Sequence, residues 1–272
     1  MIPKTRGYPA YNLGMPRPLR SFRVEAIVLK HNEHGEADRL LTVYTRERGK
    51  LKVLAKGVRK LSSRKAGHVE PFSRVTLLLA TGSTWYVLQQ AEAQETYNGL
   101  RADLTRMGQT AYAAELLDRF TIEEEEHAAL YRLLAQTLGR LATEDDIDLV
   151  IRYYEMRLLD NLGFRPELQK CVVTGAAIVA EDQYFSASLG GAVSAAAGRG
   201  LAGAAPVSLA ALKYMRHMQR SSYREAQRAR IGPEVKREME ILMQHYITYL
   251  LERGLNSPAF LRRLRQDDAA RN

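Results

Sequence analysis

The chain's 272 residues suffice for more than one hydrophobic core, and its 46% hydrophobic and 26% charged residues are ordinary for a globular protein. A single cysteine, Cys171, excludes an internal disulfide framework and fits a reducing, cytoplasmic setting, while no apolar run approaches the roughly 18–20 residues that span a bilayer. The formal charge of +9 is the unusual quantity, and it directs attention to a polyanionic partner, with nucleic acid ahead of a membrane surface or an acidic protein.

Residues 1–19 are interrupted by Pro3, Pro9, Pro16 and Pro18 and hold no continuous apolar stretch. They read as a flexible tail and not as a secretory signal, an arm bringing Arg17 and Arg20 to nucleic acid being the competing reading. Residues 20–95 carry β signals. Branched residues fill 24–30 (VEAIVLK), LLTVYT follows at 40–45, and RERGK makes a turn in which Gly49 is free to take positive φ. A strand at 51–56 returns from it, and 75–80 (VTLLLA) and 85–90 (WYVLQQ) flank the turn ATGS. Five short strands predict a small closed barrel, because closure removes exposed edges.

Beyond residue 96 the hydrophobic period lengthens to about 3.6. Leu130, Leu133, Leu134, Thr137, Leu138 and Leu141 share one helix face, and the acidic run 123–126 before it reads as a solvated first helical turn, where negative charge is favoured. A second helix is predicted over 145–162, ended by Gly163 and Pro166. A late one carries Met239, Leu242, Met243, Tyr246 and Leu250, with Pro233 near its first turn. These stripes predict a helical bundle in two parts, 96–170 and 207–272. Between them, 171–206 is rich in Gly, Ala and Ser, lacks helical period, and reads as a small loop-and-strand insert.

The charge is concentrated. Residues 1–65 hold 16 Lys/Arg against 5 Asp/Glu, whereas the remainder holds 24 against 26. The densest stretch, 46–65 (RERGKLKVLAKGVRKLSSRK), has nine basic side chains and one acid. Alternation along its strand sends Leu51, Val53 and Ala55 inward and Lys50, Lys52 and Lys56 outward, with Leu54 beneath their alkyl stems. Arg46 and Arg48 lie in the turn before the strand, and Arg59, Lys60, Arg64 and Lys65 in the loop after it. These residues are the candidate phosphate contacts of a site for single-stranded nucleic acid. Tyr44, Phe72, Trp85 and Tyr86 are the nearby rings, of which one or two would stack on bases. Lysines on a strand edge also block aggregation, but nine cations against one acid exceed what edge protection needs.

The stretch EAIVLKHNEHGEADRLLTVYTRERGKLKVLAKGVRK, followed by PFSRV and later LLDNLGFRPELQKC, resembles the RecO family of bacterial DNA repair proteins. The similarity runs from about Arg20 to Arg263, and 36–59 is its most specific part. The resemblance implies an α+β protein: an N-terminal OB-fold barrel over 20–95, an α-helical domain, and a small zinc-ribbon-like insert. It implies binding of single- and double-stranded DNA, annealing of complementary strands, and help in loading recombinase onto strands coated by single-strand-binding protein. RecR and the acidic tail of the coating protein are the implied partners, with no membrane involved. The family's tail site lies in the helical domain, where an apolar pocket rimmed by cations is needed. Arg119, Arg152 and Arg157, with Leu158 and Leu159, are its candidates, and pairing of Arg152 and Arg157 with Glu155, Asp160 or other acids is the alternative. A second cationic set, Arg216, Arg220, Arg224, Arg228 and Arg230, would extend the DNA surface or form a solvated helix face.

The family's insert often holds zinc with two C-x-x-C pairs. Here the matching positions read Cys171, Thr174, Ser194 and Ala197, so three of four sulfur ligands are missing and no metal is expected. The insert is then expected to hold by packing, through Val172, Val173, Ile178, Tyr184 and Phe185, with Cys171 as a small buried hydrophobe. His31, His34 and Asp38 cluster in a strand connection, without the helical H-E-x-x-H order of a zinc hydrolase. No Walker-type loop and no G-x-S-x-G elbow occurs. No catalytic residue or cofactor is assigned, and a DNA-binding, strand-annealing protein without covalent chemistry is expected. Two readings compete with it: an adaptor whose basic face docks acidic proteins, and a metal-dependent nuclease using His31, His34 and Asp38.

Overall fold

The computed structural model describes residues 21–252. The tail expected at 1–19 and positions 253–272 lie outside the described residues. Five strands, β1 (Ser21–His34), β2 (Asp38–Thr45), β3 (Gly49–Ala55), β4 (Arg74–Ala80) and β5 (Tyr86–Glu95), close into a barrel in the order β1-β2-β3-β5-β4. Neighbours are antiparallel except β3 and β5, which meet in parallel at Val53–Tyr86 and Leu54–Val87. β1 runs past its apolar stretch through the exposed Asn32, Glu33 and His34, which pair with β2 by backbone register and so leave no mark in hydropathy.

The barrel interior is filled by Val24, Ala26, Val28, Leu41, Val43, Leu51, Val53, Val75, Leu77 and Leu79. β1 is apolar on both faces. Its register shifts between Val28 and Lys30, and Ile27 and Leu29, with Tyr44 of β2, belong to the core formed by the helices. A strand buried on two sides has no polar alternation, which is why VEAIVLK lacks it.

The helices are α1 (Leu104–Phe120), α2 (Ala128–Thr143), α3 (Ile147–Asn161), α4 (Ala195–Gly198), α5 (Leu209–Arg220), α6 (Tyr223–Arg228) and α7 (Pro233–Glu252). α2 buries the predicted face, and α7 buries Met239, Leu242, Met243 and Tyr246 together with Ile247. α3 is central: ten of its residues, from Leu149 to Leu159, are buried. Gly163, with φ of 79°, follows its end in the left-handed conformation typical of a helix stop.

The acidic run 123–126 corrects the sequence reading, because it is no helical turn. Glu123 bridges to Lys50, the Glu124 N–H donates to the Lys50 carbonyl at 2.9 Å, and α2 begins only at Ala128. The run is a strap laid along the edge of β3. Gly49 admits it: φ there is 62°, and a Cβ would stand 1.8 Å from the Glu125 carbonyl oxygen.

Within 171–206, β6 (Gln183–Ser186), β7 (Gly191–Val193) and β8 (Ala204–Val207) form a small sheet in the order β7-β6-β8, with α4 between β7 and β8 in sequence. Phe185 is fully buried and meets Tyr246 of α7 edge to face at 5.4 Å, anchoring the sheet to the bundle. Val173 is 49% exposed and takes no part in that packing, contrary to expectation.

Candidate nucleic-acid interface

β3 positions the basic stretch. Leu51, Val53 and Ala55 are buried as alternation predicts. The residues that leave the barrel have different fates. Lys50 is not a surface contact: it is 8% exposed, and its Nζ donates to the backbone carbonyls of Asp118 and Thr121, at 2.6 Å each, and lies 3.1 Å from the Asp118 carboxylate. Alternation shows that Lys50 points out of the barrel, but not that the carbonyl end of α1 waits there, a place that favours a cation. Lys52 donates to Thr42 Oγ1 at 2.8 Å across the β2–β3 pair.

Lys56, Lys60 and Arg64 are exposed, and their side chains have no ion pair or hydrogen bond among the described residues. Arg59 lies 3.3 Å from Glu33. Lys65 Nζ donates to the carbonyls of Lys56 and Leu88 at 3.3 and 3.4 Å. At the opposite end of β3, Arg46 sits 3.7 Å from Glu25, and the Arg48 guanidinium lies 4.0 Å over the Phe22 ring. Lys50 is withdrawn and Lys52 is half-buried, so the exposed cations of the stretch gather at the two ends of β3 and not along it, which corrects the expected stripe.

The larger group, Lys56, Arg59, Lys60, Arg64 and Lys65, shares one loop. That loop is held firmly. The Gly57 N–H donates to Asp38 Oδ1 at 2.7 Å, the Arg59 N–H donates to the Ala37 carbonyl at 2.9 Å, and Val58 is buried. Asp38 thus serves the loop, and among the described residues no group of three or more His, Cys, Asp or Glu could hold a metal ion. Of the four rings, Tyr44 is fully buried and Phe72 packs against the helical core, so neither is placed to stack on a base. Trp85 meets His34 edge to face at 5.3 Å, and Tyr86 meets Phe22 in the same way while its hydroxyl donates to Glu124. Arg23, which the sequence reading does not include, and His68, too thin beside Glu70 to suggest a metal site, converge with Arg64 and Lys65 on one cleft. The outward phase of Arg23, next to the inward Val24, was the available signal.

Two family profiles match the chain, Recombination protein O N terminal over residues 19–97 and Recombination protein O C terminal over 101–259. The chain belongs to the RecO family. It is 40% identical over 247 residues to DNA repair protein RecO of Roseiflexus sp. (strain RS-1), covering 91% of this chain and 87% of that one. It is 35% identical to the protein of the same name from Pelotomaculum thermopropionicum, covering 92% and 97% of the two chains, and 37% identical to that from Desulforudis audaxviator, covering 90% and 98%.

Zinc, which the resemblance to RecO proteins raises for the insert, does not fit this donor set. Cys171 supplies the only sulfur at the four positions, and its Sγ accepts a hydrogen bond from the Ser194 N–H at 3.3 Å. Ser194 Oγ in turn caps α4 by accepting from the Ala197 N–H. Cys171 is buried as expected, and although burial alone would raise its thiol, hydrogen bonds from Ser194 and Thr174 prevail and bring it down to about 6.

The residues expected to seat a partner's tail are largely occupied. Leu158 and Leu159 are fully buried in α3, out of reach of any partner. Arg157 donates to the carbonyls of Gln219 and Ser221 and lies 5.0 Å from the Tyr153 ring, so it ties α3 to the end of α5. Arg119 pairs with Glu115 on its own helix at 3.7 Å. Arg152 pairs with the buried Glu155 at 2.9 Å, yet it also lines a surface cavity of about 370 Å³ with Leu149, Arg230, Ile231, Lys236 and Met239. In the second cationic set, Arg216 Nε donates to the Leu168 carbonyl at 2.7 Å and is structural. None of the described helices is long and apolar enough to cross a membrane.

Proposed function

We propose that this RecO-family chain is a DNA repair protein that binds single- and double-stranded DNA without sequence preference and anneals complementary strands, with no covalent chemistry. The observation that carries the reading is the loop after β3, where Lys56, Lys60 and Arg64 are exposed with no side-chain partner among the described residues. The barrel beneath it has the five strands of an OB-fold, a fold whose surface and loops bind oligonucleotides. Ammonium and guanidinium groups held on a firm loop neutralise phosphates without collapsing onto their own carboxylates. Annealing follows from the same charge, since two polyanions repel until cations screen both and leave base edges open to pair.

In this reading the protein acts in the cytoplasm on strands coated by single-strand-binding protein, with RecR as a further partner, and helps recombinase to load. The acidic tail of the coating protein finds its best match at the cavity beside Arg152. Arg152, Arg230 and Lys236 line it beside Leu149, Ile231 and Met239, the cationic and apolar groups that an acidic tail with an apolar end needs. Asp146 and Asp148 also line it, and Lys236 is paired to Asp146 at 2.6 Å, which leaves Arg230 as the cation without a side-chain partner among the described residues. Anisotropy titration of labelled single-stranded DNA at two salt concentrations, alongside an annealing assay, tests the proposal. Reversing Lys56, Lys60 and Arg64 to Glu is expected to abolish annealing and flatten the salt dependence of binding. Wild-type affinity in that variant refutes the assignment, and DNA cleavage in divalent ions refutes the non-enzymatic reading.

A further inference from the structure

We infer that the cleft between the 57–68 loop and the outer face of β4 and β5 is a subsite for an unpaired nucleic-acid strand. The inference rests on the DNA-binding reading above and extends it from the loop after β3, with which the cleft shares Arg64 and Lys65, onto Arg23 of β1 and the two glutamines of β5. The cleft has a volume of about 630 Å³. Strand register builds its floor: Arg23 of β1 stands opposite Leu78 of β4, which stands opposite Gln90 of β5. The loop forms the facing wall with Arg64, Lys65 and His68.

The wall is fixed in place. Val58 and Val69 plug it into the barrel core, and Lys65 Nζ reaches the Leu88 carbonyl on β5. The Ala93 N–H donates to His68 Nδ1 at 3.2 Å, pinning the turn Ala66–His68 onto β5. That bond also determines what His68 presents. A neutral imidazole that accepts at Nδ1 carries its proton on Nε2, so its other nitrogen is a donor. Arg23 and Arg64 are exposed and have no side-chain partner among the described residues. Glu92 is the single acid on the lining, against Arg23, Arg64 and Lys65.

A bulge completes the site. Leu78 pairs with Gln90 but Leu79 pairs with Leu88, so Gln89 is the extra residue, and both Gln89 and Gln90 are exposed along the cleft. Plain alternation would have hidden one of them. The ligand chemistry follows from the two kinds of group. Cations suit phosphates, while primary amides both donate and accept and suit base edges. A duplex also offers base edges to amides in its major groove, so the preference for an unpaired strand comes from size: a cleft of about 630 Å³ takes in one strand with its bases turned out and not a duplex. The cleft holds only a short piece of strand, less than the roughly 4–16 nucleotides an OB fold spans, so it is one subsite of a longer path.

The test uses the full chain, a labelled single-stranded oligonucleotide, a labelled hairpin duplex and a poly-glutamate peptide. R23A/R64A is expected to weaken single-strand binding roughly tenfold and to lower the salt slope by about 1.4, with duplex binding changed less than about twofold. Q89A/Q90A is expected to weaken single-strand binding with no change of slope. The substituted residues are exposed, so thermal melts check that the fold is kept. Wild-type single-strand affinity in R23A/R64A, while K56E/K60E loses it, overturns the subsite and leaves the DNA reading standing. Equal losses for single strand and duplex overturn the strand preference. Peptide binding that R23A/R64A abolishes without effect on DNA overturns the subsite in favour of a protein ligand. A wild-type protein that binds no DNA overturns both readings.

Discussion

At Lys50 an ammonium group gives up water for two carbonyl oxygens of α1 and its end, at 2.6 Å, and for the Asp118 carboxylate at 3.1 Å. Asp118 is shared, since Lys30 Nζ lies 2.6 Å from its other oxygen. Burial alone would raise the Asp118 carboxyl, but the two ammonium groups outweigh it and hold it below its ordinary 3.8. The folded chain therefore binds this proton less tightly than the unfolded one. The resulting stabilisation is complete above about pH 3.8 and is lost as the pH falls through the lower folded value. Lys50→Met leaves the carbonyls and one carboxylate oxygen without their donor, so it is expected to lower stability by ~2–3 kcal/mol at neutral pH. Urea unfolding measures this, and the gap between wild type and variant should narrow on acidification. Equal stability at neutral pH would mean that the ammonium is solvated after all.

At the scale of elements, the barrel strands and the helices α2, α3 and α7 were legible in the sequence because their hydrophobic spacing is strong, as on α2 with Leu130, Leu134, Leu138 and Leu141. α1, longer than α2, is not legible in the same way: its buried face is partly Thr110, Ala113 and Ala114, which leave a faint stripe. The role of Lys50 and the docking of 123–126 depend on contacts between residues about 70 positions apart, which no local pattern carries. The candidate site was legible as a composition, nine cations in 46–65, and not as a geometry, since only the folded chain shows that Lys50 is buried against the end of α1 and that Arg23 joins the loop. α3 is legible as a helix but not as the central one, and its burial creates a pH effect. Glu155 is fully covered; desolvation outweighs the Arg152 guanidinium and the Tyr112 hydroxyl and pushes its carboxyl up to about 7. Here the folded chain binds the proton more tightly than the unfolded one. Stability therefore declines as pH climbs from about 4.5 to about 7 and levels off above. Thermal unfolding at about pH 5 and about pH 8 should show a smaller drop for Glu155→Gln than for wild type, and parallel drops would contradict the assignment.

Over the whole molecule, the barrel and the bundle are joined by more than a linker. Ile27, Leu29 and Tyr44 of the barrel lie in the same hydrophobic cluster as Leu117, Leu134 and Tyr154 of the helices. Lys30 and Lys50 reach Asp118, the strap 123–126 runs along β3, and Tyr86 donates to Glu124 across the same seam. Apolar surface shared in this way is exposed if either part opens alone, so the two should unfold together. The chain provides its own probes. Trp85, its one tryptophan, lies beside the barrel's β5, whereas far-ultraviolet circular dichroism is dominated by α1, α2, α3, α5 and α7. Tryptophan fluorescence and helical signal are expected to trace one transition with a common midpoint in denaturant. In Lys30→Ala/Lys50→Ala the Asp118 carboxylate keeps its burial and loses both partners, which weakens the seam while leaving each core intact. The two curves should then move to lower denaturant and draw apart, the weaker part melting first. Separate midpoints in the wild type would mean that the shared cluster does not couple the two parts, and the cationic loop would then not be a surface held fixed relative to the helices.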